Sequence, residues 1–560
     1  MATLLTIAVF LPLLGAVGLI LAPHLAVKTA RGIALGIVLA TLGAGLILLL
    51  GFDPRLAGPQ FTSTGSDGGL GVPWIKGMGI RFALGLDGVS LWMFLSTGVL
   101  SVTAVLASWE SARRRASTHY ALVLALAGGL LGAFASLDLL LFYIFFEFIL
   151  IPLFFLIGLF GGPERTRAAV TYFLYTLTGS LFTLIGMVAL VAIHQRYTGI
   201  LTFSIPELTE GLRTLPWDGW FATTSWTSPQ VLIFLLLFAG FAVKVPMFPF
   251  HTYFPLAHAE APAAWSILLV KIGGYGLYRF NLAMTPLGAD YLFAPLAALS
   301  VIAILYGALA GLAQTDLKRL TAYSSVSHMG FFVLGLISLN GTGIDGAIIQ
   351  MVNLGITAGA MFALFAAVAD RYRTREIPEL GGLWNWSPLW SFFLIVAAFG
   401  SAAVPFTNGF VGEFPILVGI YHRSPVHGSL AAIGMLLGAW YLFAMLRKVV
   451  FGPLREPIPA EAEGSDARPA NRPLSWVEIG GIAPLIALIL LVGIVPGPFL
   501  RRLRPSVAPV IAVVQGETKW ARDQAYALAN PPVVLPTPPE SPPLQPRPTT
   551  LPLLPPDSPR

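Results

Sequence analysis

The stretch "VLIFLLLFAGFAVKVPMFPF", residues 231–250, runs through thirteen apolar residues before it reaches Lys244, then places Pro246 and Pro249 directly behind that lysine. An ammonium group at the centre of a bilayer costs about 3 kcal/mol or more unless it is paired or hydrated. A proline removes a backbone donor and ends or bends a helix. The stretch therefore reads as a membrane helix that breaks beside a buried charge.

The rest of the chain has the same character. Of its 560 residues 56% are hydrophobic and 11% charged, with a mean hydropathy of +0.78, far from the composition of a soluble globular protein. Apolar stretches of about 17 to 28 residues recur, each long enough to cross a hydrocarbon core of roughly 30 Å as a helix. They centre near residues 13, 41, 95, 126, 148, 182, 238, 272, 301, 329, 357, 395, 438 and 485. The expected fold is an all-α polytopic membrane protein with about fourteen transmembrane helices.

The chain has no cysteine. That excludes disulfides, thiolate metal sites, iron–sulfur ligation and a cysteine nucleophile in this chain, so any redox cofactor has to lie elsewhere. The opening "MATLLTIAVFLPLLGAVGLILAPH" is too long and too poor in basic residues for a signal peptide and reads as the first span.

Orientation follows the basic residues. Numbering the connections along fourteen spans, the odd ones hold Lys28, Arg31, Arg113, Arg114, Arg115, Arg165, Arg167, Lys318, Arg319, Arg371, Arg373, Arg375, Arg447, Lys448, Arg455, Arg468 and Arg472. These loops are expected on the cytoplasmic side and both termini opposite. The net charge of +6 comes mostly from this bias and is no nucleic-acid footprint.

Three sizeable extramembrane loops stand out: residues 53–80, rich in Gly and Pro, residues 196–227, and "GPLREPIPAEAEGSDARPANRPLSW" before the last span. The chain closes on "NPPVVLPTPPESPPLQPRPTTLPLLPPDSPR", a composition that favours extended polyproline segments and builds no core. A faint internal repeat joins "FAVKVPMFPF" to "GSAAVPFTNGFVGEF", each with Val-Pro late in an apolar helix and an ionisable residue nearby. Paired Pro-interrupted helices point to transporter-like architecture with ion sites at the breaks.

Five ionisable residues fall inside apolar spans: Glu147, Lys244, Lys271, His328 and Glu413. Proton conduction gives a physical reason for them. Burial lowers a lysine's proton affinity and a nearby carboxylate restores it, so small rearrangements switch its occupancy. Glu147 and Lys244 are candidates for such a pair, with Lys271, His328 and Glu413 continuing the path through buried water. Pro246, Pro249, Gly273, Gly274 and Pro405 are expected to loosen the helices around them. The bland alternatives are a structural ion pair for Glu147 with Lys244, an interface hydrogen bond for His328 and a loop position for Glu413. Asp87 and Asp138 read as helix caps, and His251 and His258 as interfacial, with a proton entry or exit group as the alternative for either. No phosphate loop, nucleophile elbow or spaced metal-ligand set is present in the sequence.

The segments 145–181, 241–262, 268–281, "LAQTDLKRLTAYSSVSHMGFFVLGL" at 312–336 and "GFVGEFPIL" at 409–417 together resemble the antiporter-like membrane subunit of complex I (NADH-quinone oxidoreductase) known as subunit M or subunit 4, the D subunit of the photosynthetic NAD(P)H-quinone complex. The resemblance covers roughly residues 80–450 in order.

It implies two inverted five-helix repeats, each with one broken helix, over residues 119–285 and 286–452. Residues 1–118 would precede them, 453–499 would hold a loop and the last span, and 500–560 a Pro-rich tail, extended or disordered. It also implies a coupling pair in Glu147 and Lys244, a central relay in Lys271 and His328, and a terminal protonatable group in Glu413. A glutamate there is similar to subunit M, whereas sister subunits usually carry lysine.

The implied function is proton translocation in the membrane arm of a complex I type enzyme, a translocase, without redox chemistry in this chain. NADH, FMN, iron–sulfur clusters and quinone would be held by partner subunits. The partners would be the other membrane subunits, especially the two sister antiporter-like subunits, in a bacterial inner membrane or, alternatively, a thylakoid. The other reading is a subunit of a multi-subunit cation/proton antiporter, which resembles the same fold. One position departs from the pattern: in "QMVNLGITAGAMFAL" Leu354 stands where relatives usually carry histidine, so a water chain or Asn353 would have to bridge that point.

Overall fold

The computed structural model describes residues 1–213, 215, 225–268, 272–385, 387–455 and 473–529. Lys271, Arg468, Arg472, the middle of the loop before the last span and the proline-rich end from residue 530 lie outside the described residues.

Two long apolar helices open the chain, α1 (Ala2–Leu21) and α2 (Val27–Gly51). Each buries one face, Leu5, Ala8 and Val9 on α1, and turns Leu14, Val17 and Ile20 outward, as lipid or a membrane partner requires. The loop after α2 is more ordered than its Gly and Pro content suggests. It folds a short antiparallel hairpin, β1 (Val72–Ile75) with β2 (Ile80–Phe82), in the register Val72 to Phe82 and Pro73 to Arg81. Arg81 grips Asp67 with both guanidinium nitrogens, at 2.6 and 2.7 Å.

Asp87 then starts α3 (Gly88–Ala107) by accepting from the backbone N–H groups of Val89 and Ser90, with Ser90 closing the capping box. α4 (Ala116–Ala135) follows, almost wholly buried. Asp138 caps α5 (Leu139–Phe148) in the same way and also accepts from the Arg81 backbone N–H, tying the hairpin to this helix start. The capping roles expected of both aspartates are what the structure shows.

α5 runs with a slight irregularity into α6 (Leu150–Phe160), and α7 (Arg165–Thr198) crosses back. α8 (Ile205–Arg213) is a short amphipathic helix within the second loop. The opening stretch forms α9 (Pro229–Lys244), which ends on the lysine itself. The chain resumes as α10 (Tyr253–Glu260), α11 (Ala263–Leu268) and α12 (Ile272–Gly276), the last passing into a π-helical turn over Leu277–Leu282.

α13 (Pro286–Tyr291), α14 (Phe293–Leu312), α15 (Leu317–Leu336) and α16 (Gly341–Tyr372) lead to the second interrupted pair, α17 (Pro388–Ser401) and α18 (Asn408–Arg423). α19 (Pro425–Val449), α20 (Trp476–Ile494) and α21 (Gly497–Ala529) complete the described residues.

Among the described residues ten helices are long and apolar enough to cross a membrane. The remaining expected spans fall on α9 with α10, α11 with α12, the more polar α15, and α17 with α18. α16 is the hub: it packs on α3, α11, α15, α17, α18 and α20, and its apolar stretch is entirely buried.

One expectation needs correcting. Residues 500–529, expected to begin an extended tail, are helical in α21 despite Pro505 and Pro509. Leu503, Ser506, Val507, Val510 and Val514 recur at helical spacing and are buried, so an amphipathic face provides what composition hid. Met1–Thr518 form one compact unit, and residues from Lys519 on form a second.

Candidate functional site

The helix break at Lys244 is stabilised locally. Val245 N–H closes the last turn onto Phe241 O, and Met247 N–H reaches Ala242 O. The Tyr253 hydroxyl, from the start of α10, donates to Val243 O at 2.9 Å. These carbonyls are satisfied, and Pro246 and Pro249 occupy the interruption at 245–252.

Lys244 is 9% exposed. Its Nζ donates to Phe146 O at 3.1 Å and lies 3.6 Å from the centroid of the Phe146 ring. A backbone carbonyl and an aromatic face thus take the place of water around the ammonium. Glu147 follows Phe146 at the end of α5, close enough for Coulombic attraction, yet no hydrogen bond or ion pair joins it to Lys244. Its Oε1 is buried without a hydrogen-bond partner among the described residues. The structure brings the two charges to one place and leaves a gap between them.

Gly273 and Gly274 lie near the start of the short helix α12, directly after residues 269–271, which are outside the described residues. A Cβ on Gly273 would sit 2.8 Å from both Lys244 C and Val245 N, so the glycine permits α12 to touch the end of α9. The local irregularity expected of this pair lies one step further on, in the π-helical turn over Leu277–Leu282. Arg279 from that turn is ion-paired with the capping carboxylate of Asp87.

At the second interruption the sequence-predicted residues meet directly. His328 on α15 places Nδ1 2.5 Å from Glu413 Oε1 on α18, and Nε2 3.1 Å from the Ser401 hydroxyl at the end of α17. His328 is 5% and Glu413 2% exposed. Glu413 is therefore a helix residue facing the interior and not the loop position held open as an alternative. Pro405 sits in the interruption at 402–407, where Thr407 donates to Val404 O at 2.6 Å.

Several further participants surround this pair, and of them the sequence had singled out only Asn353, as a candidate bridge beside Leu354. Ser401 is within 3.4 Å of the Ser324 hydroxyl, which accepts from Tyr441 at 2.6 Å. Gln350 Nε2 on α16 donates to Glu413 Oε1 at 2.9 Å. Asn353 donates to Asn408 O at 2.6 Å, and Asn408 donates to the Thr357 hydroxyl at 3.1 Å. Gln350, Asn353 and Thr357 fall at i, i+3 and i+7 and so share one stripe of α16. Leu354 is buried on the same helix, and the contact of His328 with Glu413 does not pass through it.

His251 and His258, read as interfacial from the sequence, are both buried within the protein. His258 is fully buried, packed on the rings of Phe254, Trp265 and Phe362 at 4.1 to 4.9 Å, with both ring nitrogens unpartnered. His251 is 3% exposed beside Tyr306. Both lie where the backbone turns inward after the break, a path that apolar composition alone does not reveal. Lys318, counted among loop residues, is buried too and donates to Ala261 O at 2.8 Å, while Arg375 binds Ala259 O. Two cations thus cap the carbonyl end of α10.

Among the described residues no group of three or more His, Asp or Glu side chains is placed to hold a metal ion. The arrangement is suited to moving protons: buried titratable groups stand at two helix breaks, His328 and Glu413 joined by a short hydrogen bond at the second, next to a hub helix that carries amides and hydroxyls.

The family description "NADH:quinone oxidoreductase/Mrp antiporter, TM" matches residues 136–438, which include both breaks. NADH-quinone oxidoreductase subunit M of Rhodobacter capsulatus is 38% identical over 522 residues, covering 91% of this chain and 97% of that protein. The protein of the same name from Escherichia coli K12 is 36% identical, covering 86% and 93%. Among solved structures, a subunit of respiratory complex I from Thermus thermophilus with bound NADH superposes with a TM-score of 0.78 at 28% identity, covering 91% of this chain and 99% of that one. A subunit of the Mrp complex from Dietzia shares the fold, with a TM-score of 0.72 at 20% identity.

Proposed function

The chain belongs to the NADH:quinone oxidoreductase/Mrp antiporter transmembrane family, and on that footing we propose that it is the proton-translocating subunit M of a complex I type NADH-quinone oxidoreductase. It acts as a non-redox part of a translocase in the bacterial inner membrane, beside the other membrane subunits and two sister antiporter-like subunits. The relatives at 38% and 36% identity all but span their own length and are both named NADH-quinone oxidoreductase subunit M. They favour this reading over a cation/proton antiporter subunit, for which the likeness at 20% identity speaks only to fold. With no cysteine here to ligate them, iron–sulfur clusters fall to partner subunits, and on the family reading NADH, FMN and quinone are assigned to partner subunits as well.

Within the chain we assign proton movement to Glu147, Lys244, Lys271, His328 and Glu413. The observation that carries this is the buried 2.5 Å contact of His328 Nδ1 with Glu413 Oε1. A proton arriving on the imidazole can pass to the carboxylate with almost no nuclear movement, and the Ser401 hydroxyl on Nε2 fixes the ring for that exchange. At the other break, the unpartnered Glu147 Oε1 and the gap to Lys244 leave room for a change of pairing. When the carboxylate approaches, the ammonium form is favoured; when it withdraws, burial favours release of the proton. The two interrupted helices support the division into repeats over 119–285 and 286–452.

The test is purification of the complex through a tag on this subunit, followed by NADH:quinone electron transfer and proton uptake in sealed vesicles. Electron transfer with pumping lost in Glu413→Gln supports the reading. Co-purification with cation-exchange activity and no NADH oxidation would replace it with the antiporter reading.

A further inference from the structure

We infer that Gln350 is a positioning residue that holds the Glu413 carboxylate in line with His328. The inference rests on the reading of Glu413 as a protonatable group of the path. Gln350 Nε2 and His328 Nδ1 converge on one oxygen, Glu413 Oε1, at 2.9 and 2.5 Å. An oxygen held by two hydrogen-bond partners is fixed in direction, because rotating the buried carboxylate would break both bonds at once. His328 changes its proton count during transfer; the amide of Gln350 does not. It can therefore keep Glu413 in place while the proton moves.

The packing shows how closely the amide is held. Gln350 is 3% exposed, and its Oε1 is buried with no protein donor. That atom rests against Gly412, where an added Cβ would lie 2.1 Å from Oε1 and 2.9 Å from Gln350 Cβ and Cδ. Gly412 also lets α18 approach α16, since a Cβ on Gly346 would meet Gly412 O at 2.8 Å. Two facing glycines thus bring the helices close enough for the Gln350 amide to reach the carboxylate. An unpartnered amide oxygen would be a poor choice for packing alone, where an apolar side chain of the same size avoids the desolvation cost.

The test uses the assembled complex in sealed membrane vesicles. Gln350→Met keeps the length of the side chain without its amide, Gln350→Asn keeps the amide one carbon short, and Glu413→Gln is the reference. Both Gln350 variants are expected to transfer electrons, to lose this subunit's share of the protons pumped per electron through loss of one hydrogen bond to a charged group, and to displace the pH profile of pumping. The infrared carboxylate band of Glu413 should move in both, which a residue that merely fills space would not cause. An assembled Gln350→Met complex with the original pumping ratio and pH profile overturns the inference while leaving an impaired Glu413→Gln, and hence the function, standing. If Glu413→Gln itself pumps normally, the role of Glu413 fails and Gln350 has nothing to position. Failure of both Gln350 variants to assemble reduces Gln350 to a packing residue.

Discussion

His328 and Glu413 lie 85 positions apart in sequence and share a 2.5 Å hydrogen bond in a part of the protein closed to solvent. The bond joins α15 to α18 just behind the second helix interruption, so the residue most easily dismissed as an interface histidine faces the one carboxylate of α18. If the contact carries protons, the two residues act as one unit. His328→Ala, Glu413→Gln and the double variant should then give about the same loss of proton pumping per electron, well short of the product of the single effects. A vesicle pumping assay at fixed electron flux checks this, and multiplicative losses would place them on separate paths.

Lys244 is held by one carbonyl and one aromatic face, without a direct counter-ion. Lys244→Met keeps volume and removes the buried charge, so assembly and electron transfer should persist while pumping is lost. The cost to stability is expected to stay near about 1 kcal/mol, since an isosteric apolar group removes the desolvation penalty along with the bond. Thermal melting of the complex alongside the pumping assay separates the two effects. Normal pumping by assembled Lys244→Met would end the proposed role.

Leu354 is buried on α16 yet stands outside the contact between His328 and Glu413. Leu354→Ala should therefore destabilise the complex by about 2 to 4 kcal/mol through the cavity it leaves and preserve protons pumped per electron. A changed ratio in a complex that still assembles would mean the path runs past this side chain after all.

Asp87 caps α3 and pairs with Arg279 of the π-helical turn. Asp87→Ala removes the cap and strands a buried guanidinium, with an expected cost of about 3 to 5 kcal/mol. Asp87→Asn with Arg279→Gln should recover part of it. Yield and melting temperature of the assembled complex are the measures, and equal damage in both would show that the charges contribute nothing beyond the cap.

Outside the membrane, the Arg81 guanidinium holds the Asp67 carboxyl well below the usual carboxylate range. A carboxyl whose folded value is depressed contributes stability above its unfolded value, and that contribution disappears as pH falls through the folded one. Protection of the hairpin amides, among them Gly71 N–H bonded to Ser63 O, should stay level from neutral pH down to mild acid and decline only in strong acid. Asp67→Asn should lower it from neutral pH to mild acid and abolish the decline in strong acid; hydrogen exchange reads both.

Much of this protein was legible in the amino-acid order. Membrane helices are read from length and apolarity, so α1 to α7, α14, α16, α19 and α20 followed directly from hydropathy. A charge inside such a run is costly enough to be noticed, which is why Glu147, Lys244, His328 and Glu413 were found. Gln350, Ser401, Asn353, Asn408, Thr357 and Tyr441 carry no such signal, because neutral polar side chains are inexpensive in a sequence and acquire meaning only from what they face. Lys318, His251 and His258 were misplaced for a related reason: hydropathy reports how apolar a stretch is, and not whether the bundle closes over it.

The class of fold, the two helix interruptions and the depth at which the charges lie depend on composition over one or two helical turns, and amino-acid order alone was enough for them. Pairing waited for the packed bundle: Lys244 meets Phe146 and not the Glu147 side chain, His328 touches Glu413 past Leu354, and Gln350 completes that oxygen's shell. Hydrogen bonds form over about 3 Å, a scale set by how α15, α16, α17 and α18 pack against one another. Residues such as Gly412, by permitting that approach, settle which side chains become partners.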